Sequence, residues 1–160
     1  MRVNPVKKIT QLTLLAGLAF GLYETAYASE RGNAEEAVEL VKKAVTYYKV
    51  NGKKKMMEEI NRGRQGTLSY KEMYLIAGNL TPSPTLAHGG NPKLINKDLT
   101  ELTDVDGLKV GKRILDIANS REGRGWFDYQ WPDPVANVVS RKSTYVERVD
   151  DFYIGCGIFK

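Results

Sequence analysis

The chain has 160 residues, of which 42% are hydrophobic and 27% charged, with a formal net charge of +5. That balance excludes a disordered or fibrous chain and fits one folded domain. A single cysteine, Cys156, excludes an internal disulfide framework, so stability must come from packing.

Arg2, Lys7 and Lys8 precede a mostly apolar run from Ile9 to Leu22, and the segment closes on Ala26-Tyr27-Ala28. Basic, then apolar, then small-x-small is the order of a secretory signal peptide, with cleavage expected between Ala28 and Ser29. The competing reading is a retained membrane anchor. A spanning helix needs roughly 20 apolar residues, and this run is shorter and carries Thr10, Gln11 and Thr13. The expected division is residues 1–28 as signal peptide and 29–160 as the exported domain, periplasmic or alternatively secreted. Cleavage would remove three basic residues and one acidic residue. Much of the basic character therefore leaves with the leader, and nucleic acid is not an expected partner. No later stretch approaches spanning length, so the processed chain is not expected to span a membrane.

A helix comes first. Ala34, Ala37, Val38, Val41, Ala44, Val45 and Tyr48 form one apolar stripe at helical spacing. Asn33 reads as its N-cap, Glu36 completes a capping box, and Asn51-Gly52 is a stop signal. A shorter helix over Lys53–Asn61 buries Met56, Met57 and Ile60, with Lys53-Lys54-Lys55 as its solvated start. Leu68 to Leu80 reads as one strand ending at Thr81-Pro82-Ser83-Pro84, and residues 85–88 as another, closed by Gly89-Gly90. Residues 91–108 read as a structured connection, with Asp104-Val105-Asp106-Gly107 as a turn. Residues 110–119 have the spacing of a short helix. Three strands close the chain, near 124–131, 138–148 and 152–159, the last two joined by a tight hairpin at Asp150-Asp151. This order predicts a single α+β domain with helices on one side of an antiparallel sheet.

The stretches "GWFDYQWPDPV", "RKSTYVERVDDFYIGCGIFK", "LAHGGNPKLINKDL" and "TDVDGLKV" together resemble the single Cache domains of bacteria, in their free-standing exported form. The likeness runs from about residue 34 to the C-terminus, and the motifs occur in the same order. It implies a PAS-like fold, with a long N-terminal helix packed along a five-stranded antiparallel sheet. It also implies a sensory module that binds a small extracytoplasmic ligand, often a short-chain carboxylate, and is not an enzyme. Two departures stand out. Thr81-Pro82-Ser83-Pro84 replaces the usual Asp-x-x-Gly turn, and no aromatic residue precedes the first strand. The sequence stops at Lys160, so a separate membrane partner, a sensor kinase or chemoreceptor, is expected to carry the signal. The alternative is a periplasmic structural or interaction protein with a vestigial pocket.

Within that frame, Phe127, Tyr129 and Trp131 share one strand face. Tyr129 and Trp131, with polar handles, are expected in the pocket, and Phe127 in the core. Lys142 supplies a positive charge for a carboxylate and Tyr145 a phenol, although strict alternation puts them on opposite faces unless a bulge intervenes. The plainer reading of Lys142 is an exposed lysine at a strand start. His88 either bonds the ligand or caps its turn. Gly155 and Gly157, sharing a face of the last strand, are expected to leave room for ligand or a neighbouring ring. Cys156 between them reads as a buried thiol. No nucleophile arrangement, clustered metal ligands or cofactor motif points to catalysis, and no cofactor is expected.

Overall fold

Ala34–Asn51 forms helix α1, whose stripe of small and branched side chains buries Ala37, Leu40, Val41 and Ala44. Its start is the expected capping box. The Glu36 amide donates to Asn33 Oδ1 at 2.9 Å, and the Asn33 amide to Glu36 Oε2 at 3.0 Å. Gly52 ends it at φ 83°, a left-handed position suited to glycine, and its amide donates to the Tyr48 carbonyl at 2.8 Å. Helix α2, Lys53–Asn61, follows at once. The structure is a computed structural model and describes residues 31–81 and 84–160. The expected signal peptide and its Ala28–Ser29 cleavage point lie outside the described residues.

The strands are β1 (Ser69–Tyr70), β2 (Met73–Asn79), β3 (Thr85–His88), β4 (Arg124–Asp133), β5 (Val138–Val149) and β6 (Phe152–Phe159). All pair antiparallel in the order β1-β2-β6-β5-β4, with β3 also paired to β2. The α+β architecture of helices on an antiparallel sheet is thus as expected, but the helices are not all on one side: Val110–Ala118 packs on the face opposite the first two helices. One element differs. The run from Leu68 to Leu80 is two strands, because the chain folds back at Lys71-Glu72, with Lys71 at φ 54°. The buried Glu72 carboxylate explains the turn, accepting from the Gly32 amide at 2.9 and 3.0 Å.

Alternation sorts the strands into two faces. Met73, Leu75, Ala77, Tyr145, Val149, Phe152, Ile154 and Cys156 pack with α1 and α2 in one core cluster. Phe127, Tyr129, Val146 and Tyr153 face the other way, where helix α3 (Val110–Ala118) lays Val110, Ile114, Ile117 and Ala118 on them. Between β3 and α3 runs the connection over residues 89–109, which includes a 3-10 turn at Pro92–Leu94. Asp104 pins it to the sheet edge: its carboxylate accepts from the amides of Asp106, Leu108 and, on β4, Gln130. Lys53 is not the free solvated lysine expected. It lies 3.0 Å from Asp151 and 4.6 Å from the Phe152 ring centroid. Arg31, the first described residue, bonds the buried Asp133 at 2.7 Å and stacks 5.8 Å from the Phe159 ring centroid.

Candidate functional site

The face under α3 encloses a narrow cavity of about 30 Å³. Its floor comes from the sheet: Tyr74 and Ile76 on β2, Gly157 and Tyr153 on β6, Lys142 and Thr144 on β5, and Tyr129 and Trp131 on β4. Thr85 and His88 of β3 close one side, and Leu99, Leu102, Val110, Gly111 and Ile114 form an apolar roof. A water molecule needs roughly 10–15 Å³, so the enclosed space is equivalent to about two or three waters.

Lys142 is the unusual residue. Only 2% exposed, it reaches inward because even-numbered residues of β5 face away from α1. Its Nζ donates to the Tyr74 hydroxyl at 2.7 Å and lies 4.0 and 4.6 Å from the ring centroids of Tyr74 and Phe159. Among the described residues no carboxylate lies within ion-pair distance of it. Burial works against its charge, but the Tyr129 and Tyr74 oxygens and the Tyr74 hydrogen bond outweigh that, and the pKa is raised. The site therefore keeps a buried ammonium held by phenols and rings. Gly157 makes the arrangement possible, since a Cβ there would run into Lys142 Cε and come 2.6 Å from Thr144 Oγ1.

Tyr129 is buried, and its hydroxyl lies 3.1 Å from Thr144 Oγ1. Burial is the main cause of its raised pKa, so the phenol stays neutral. Trp131 packs edge-on against it at 5.6 Å between centroids. Phe127 stacks on Tyr129 at 4.9 Å within the core and does not line the cavity.

His88 caps its turn and lines the cavity. Nδ1 accepts from the amides of Gly90 at 3.3 Å and Asn91 at 2.8 Å, capping the turn. In the neutral ring this puts the proton on Nε2. Burial first, and the Lys142 charge second, push its pKa down to about 4, so the ring is a neutral donor at the cavity wall.

Tyr145 is not brought to this site. β5 pairs residue for residue with both β4 and β6, with no bulge near Ser143-Thr144. Strict alternation therefore holds, and Tyr145 packs in the α1 cluster, 5.4 Å from the Trp126 ring. Its hydroxyl donates to Glu147 at 2.7 Å. Burial and then this bond push its pKa up to about 12. Of the two glycines, only Gly157 opens on the cavity. A Cβ on Gly155 would meet Ile76 Cγ1 at 3.1 Å, so its space is used in packing. Cys156 is fully buried, and burial pushes its thiol up to about 12.

Tyr74 and Thr85 carry polar groups at the cavity that the sequence did not single out. Tyr74 meets Lys142 across 68 residues of sequence, a contact set by strand order alone. Among the described residues no group of three or more His, Cys, Asp and Glu could hold a metal, and no helix is long and apolar enough to cross a membrane.

Comparison with known proteins agrees with this architecture. A Cache chemosensory domain, solved to explain its recognition of carboxylic acids, superposes with a TM-score of 0.65 at 23% identity, covering 78% of this chain and 91% of that one. A methyl-accepting chemotaxis protein from Vibrio parahaemolyticus gives 0.66 at 22% identity, covering 78% and 86%. The periplasmic sensor domain of a chemotaxis protein gives 0.59 at 21% identity, covering 78% and 88%. In sequence, the chain is 30% identical over 76 residues to the methyl-accepting chemotaxis protein McpP of Pseudomonas putida KT2440. That alignment takes in 46% of this chain but only 14% of the much longer receptor. The family described as single Cache domain 2 matches residues 25–160, and the chain belongs to that family.

Proposed function

We propose that this chain is an exported sensory module that captures a short-chain carboxylate and passes its occupancy to a separate membrane partner, a chemoreceptor or sensor kinase. The observation that carries the reading is Lys142, a buried ammonium facing a cavity with no carboxylate beside it among the described residues. Burying a charge without a counter-charge is heavily penalised, so the arrangement favours an anionic guest. Tyr74 and His88 add neutral donors, Tyr129 and Trp131 supply aromatic wall, and the roof is apolar, which suits a small carbon chain. The cavity is small, which favours a guest of few carbons. Binding, not bond-breaking, is the activity this set of groups supports. The membrane partner is supported by the chemotaxis receptors among the relatives, and export by the pattern ending at Ala28.

Thermal-shift screening with acetate, propionate, pyruvate and lactate tests the reading, because a ligand at a hundredfold excess over its dissociation constant stabilises by about 2.7 kcal/mol. Lys142→Met keeps the stem volume and removes the charge. Its expected cost is about 2 to 5 kcal/mol of binding energy, thirtyfold or more in affinity by the usual conversion of about 1.4 kcal/mol per tenfold. Calorimetric affinities agreeing within about threefold, by the same conversion, would remove Lys142 from the site. No stabilisation by any small acid would favour an interaction protein with a vestigial pocket.

A further inference from the structure

The cavity has a second polar end. Thr85 Oγ1 is buried and has no hydrogen-bond partner among the described residues. The backbone of Thr85 is held on both sides, its amide donating to the Lys97 carbonyl at 2.9 Å and its carbonyl accepting from the Asn96 amide at 2.8 Å. The hydroxyl is thus fixed at the cavity wall and left unserved. Beside it, Tyr153 fills the space over Gly78, where a Cβ would come 2.6 Å from the phenol oxygen. Gly78 pairs with both Thr85 and Tyr153, whereas Lys142 pairs with Phe159 at the other end of β6. Burial raises the pKa of Tyr153, which keeps it a neutral group. Among the described residues no cationic side chain lines the cavity at this end.

We propose that the ligand carries a second, uncharged oxygen, a hydroxyl or carbonyl group, which Thr85 receives at the end of the cavity away from Lys142. The ligand class is then a short hydroxy or oxo acid. An unsubstituted fatty acid would set a methyl group against Thr85 Oγ1 and leave it unsatisfied, and a site with an unpaired polar group discriminates against the analogue that lacks its partner. A dicarboxylate would bring a second charge to an end with nothing to neutralise it. The inference rests on the carboxylate reading above and names the class of acid.

Calorimetric titration of paired acids tests it: acetate with glycolate, propionate with lactate, pyruvate and 3-hydroxypropionate, butyrate with 3-hydroxybutyrate. At least one oxygenated acid is expected to bind wild type about tenfold or more tightly than its parent, the ratio expected of one satisfied buried hydrogen bond. Thr85→Val, close in shape and lacking the hydroxyl, is expected to bring that pair within about threefold. Thr85→Ser, which keeps the hydroxyl, is expected to retain the preference, and an unchanged melting temperature establishes that both variants fold. If no oxygenated acid exceeds its parent in wild type, or if the preference survives in Thr85→Val, the inference is overturned. Wild type that binds no acid of either kind overturns the carboxylate reading itself, a result separate from equal binding of every pair.

Discussion

Gly157 sits where the strands bring Tyr74, Lys142 and Thr144 to one spot, and its missing side chain is the space the lysine stem occupies. Gly157→Ala is expected to displace Lys142 and lower affinity for the acid more than tenfold, at a stability cost of about 1 to 3 kcal/mol, the usual range for overpacking a core. Gly155→Ala serves as the contrast, since a Cβ there would meet Ile76 Cγ1 at 3.1 Å and the Tyr145 carbonyl oxygen at 3.2 Å rather than Lys142. It should alter melting temperature and leave affinity within about threefold. Titration and melting of the two variants side by side check this. At this scale the sequence was informative where alternation decides orientation. Tyr129, Trp131 and Lys142 line the cavity, and Phe127 packs in the core beside it. The same rule placed Tyr145 on the far face, and only an invoked bulge set it beside Lys142. Thr85 could not be found from the sequence, because an unsatisfied hydroxyl is defined by what surrounds it.

Elements whose signals are local were legible. The capping box at Asn33 and Glu36, the left-handed stop at Gly52 and the Asp150-Asp151 hairpin all follow from residues within a few positions of each other. Asn33→Ala is expected to destabilise the domain by about 0.5 to 2 kcal/mol, the usual cost of losing an N-cap. The loss should appear in chemical denaturation, with ligand affinity unchanged because α1 lies on the opposite face. The split between β1 and β2 was not legible. A left-handed turn is normally announced by glycine or asparagine, and here Lys71 adopts it. What holds it is remote, the Glu72 carboxylate bonded to the Gly32 amide. The roof over the cavity was hidden for a similar reason. Residues 91–109 have little repeating pattern, and their placement depends on Asp104 reaching the edge of β4.

For the molecule as a whole, His88 sets a pH dependence. Its folded pKa lies near 4 against an ordinary 6.5, so between those values the unfolded chain binds the extra proton. Stability then rises with pH: the contribution of His88 is fully present above pH 6.5 and is lost as pH falls toward 4. Each tenfold difference in proton affinity between the folded and unfolded chain is worth about 1.4 kcal/mol, so the loss approaches roughly 3 kcal/mol. Unfolding free energies of wild type and His88→Gln across this window should converge as the pH falls. Equal slopes for the two proteins would assign the dependence to carboxylates instead.

The ion pair of Arg31 with Asp133, and its stacking on Phe159, bring the first described residue against the penultimate one. An engineer can therefore treat Arg31 and Phe159 as neighbouring splice points. Inserted into a surface loop of a fluorescent reporter, the domain would demand little separation of the host's cut ends, and a short peptide joining them would permit circular permutation. Because Phe159 also stacks on Lys142, the splice points lie one ring away from the ammonium, well placed for a reporter of ligand occupancy.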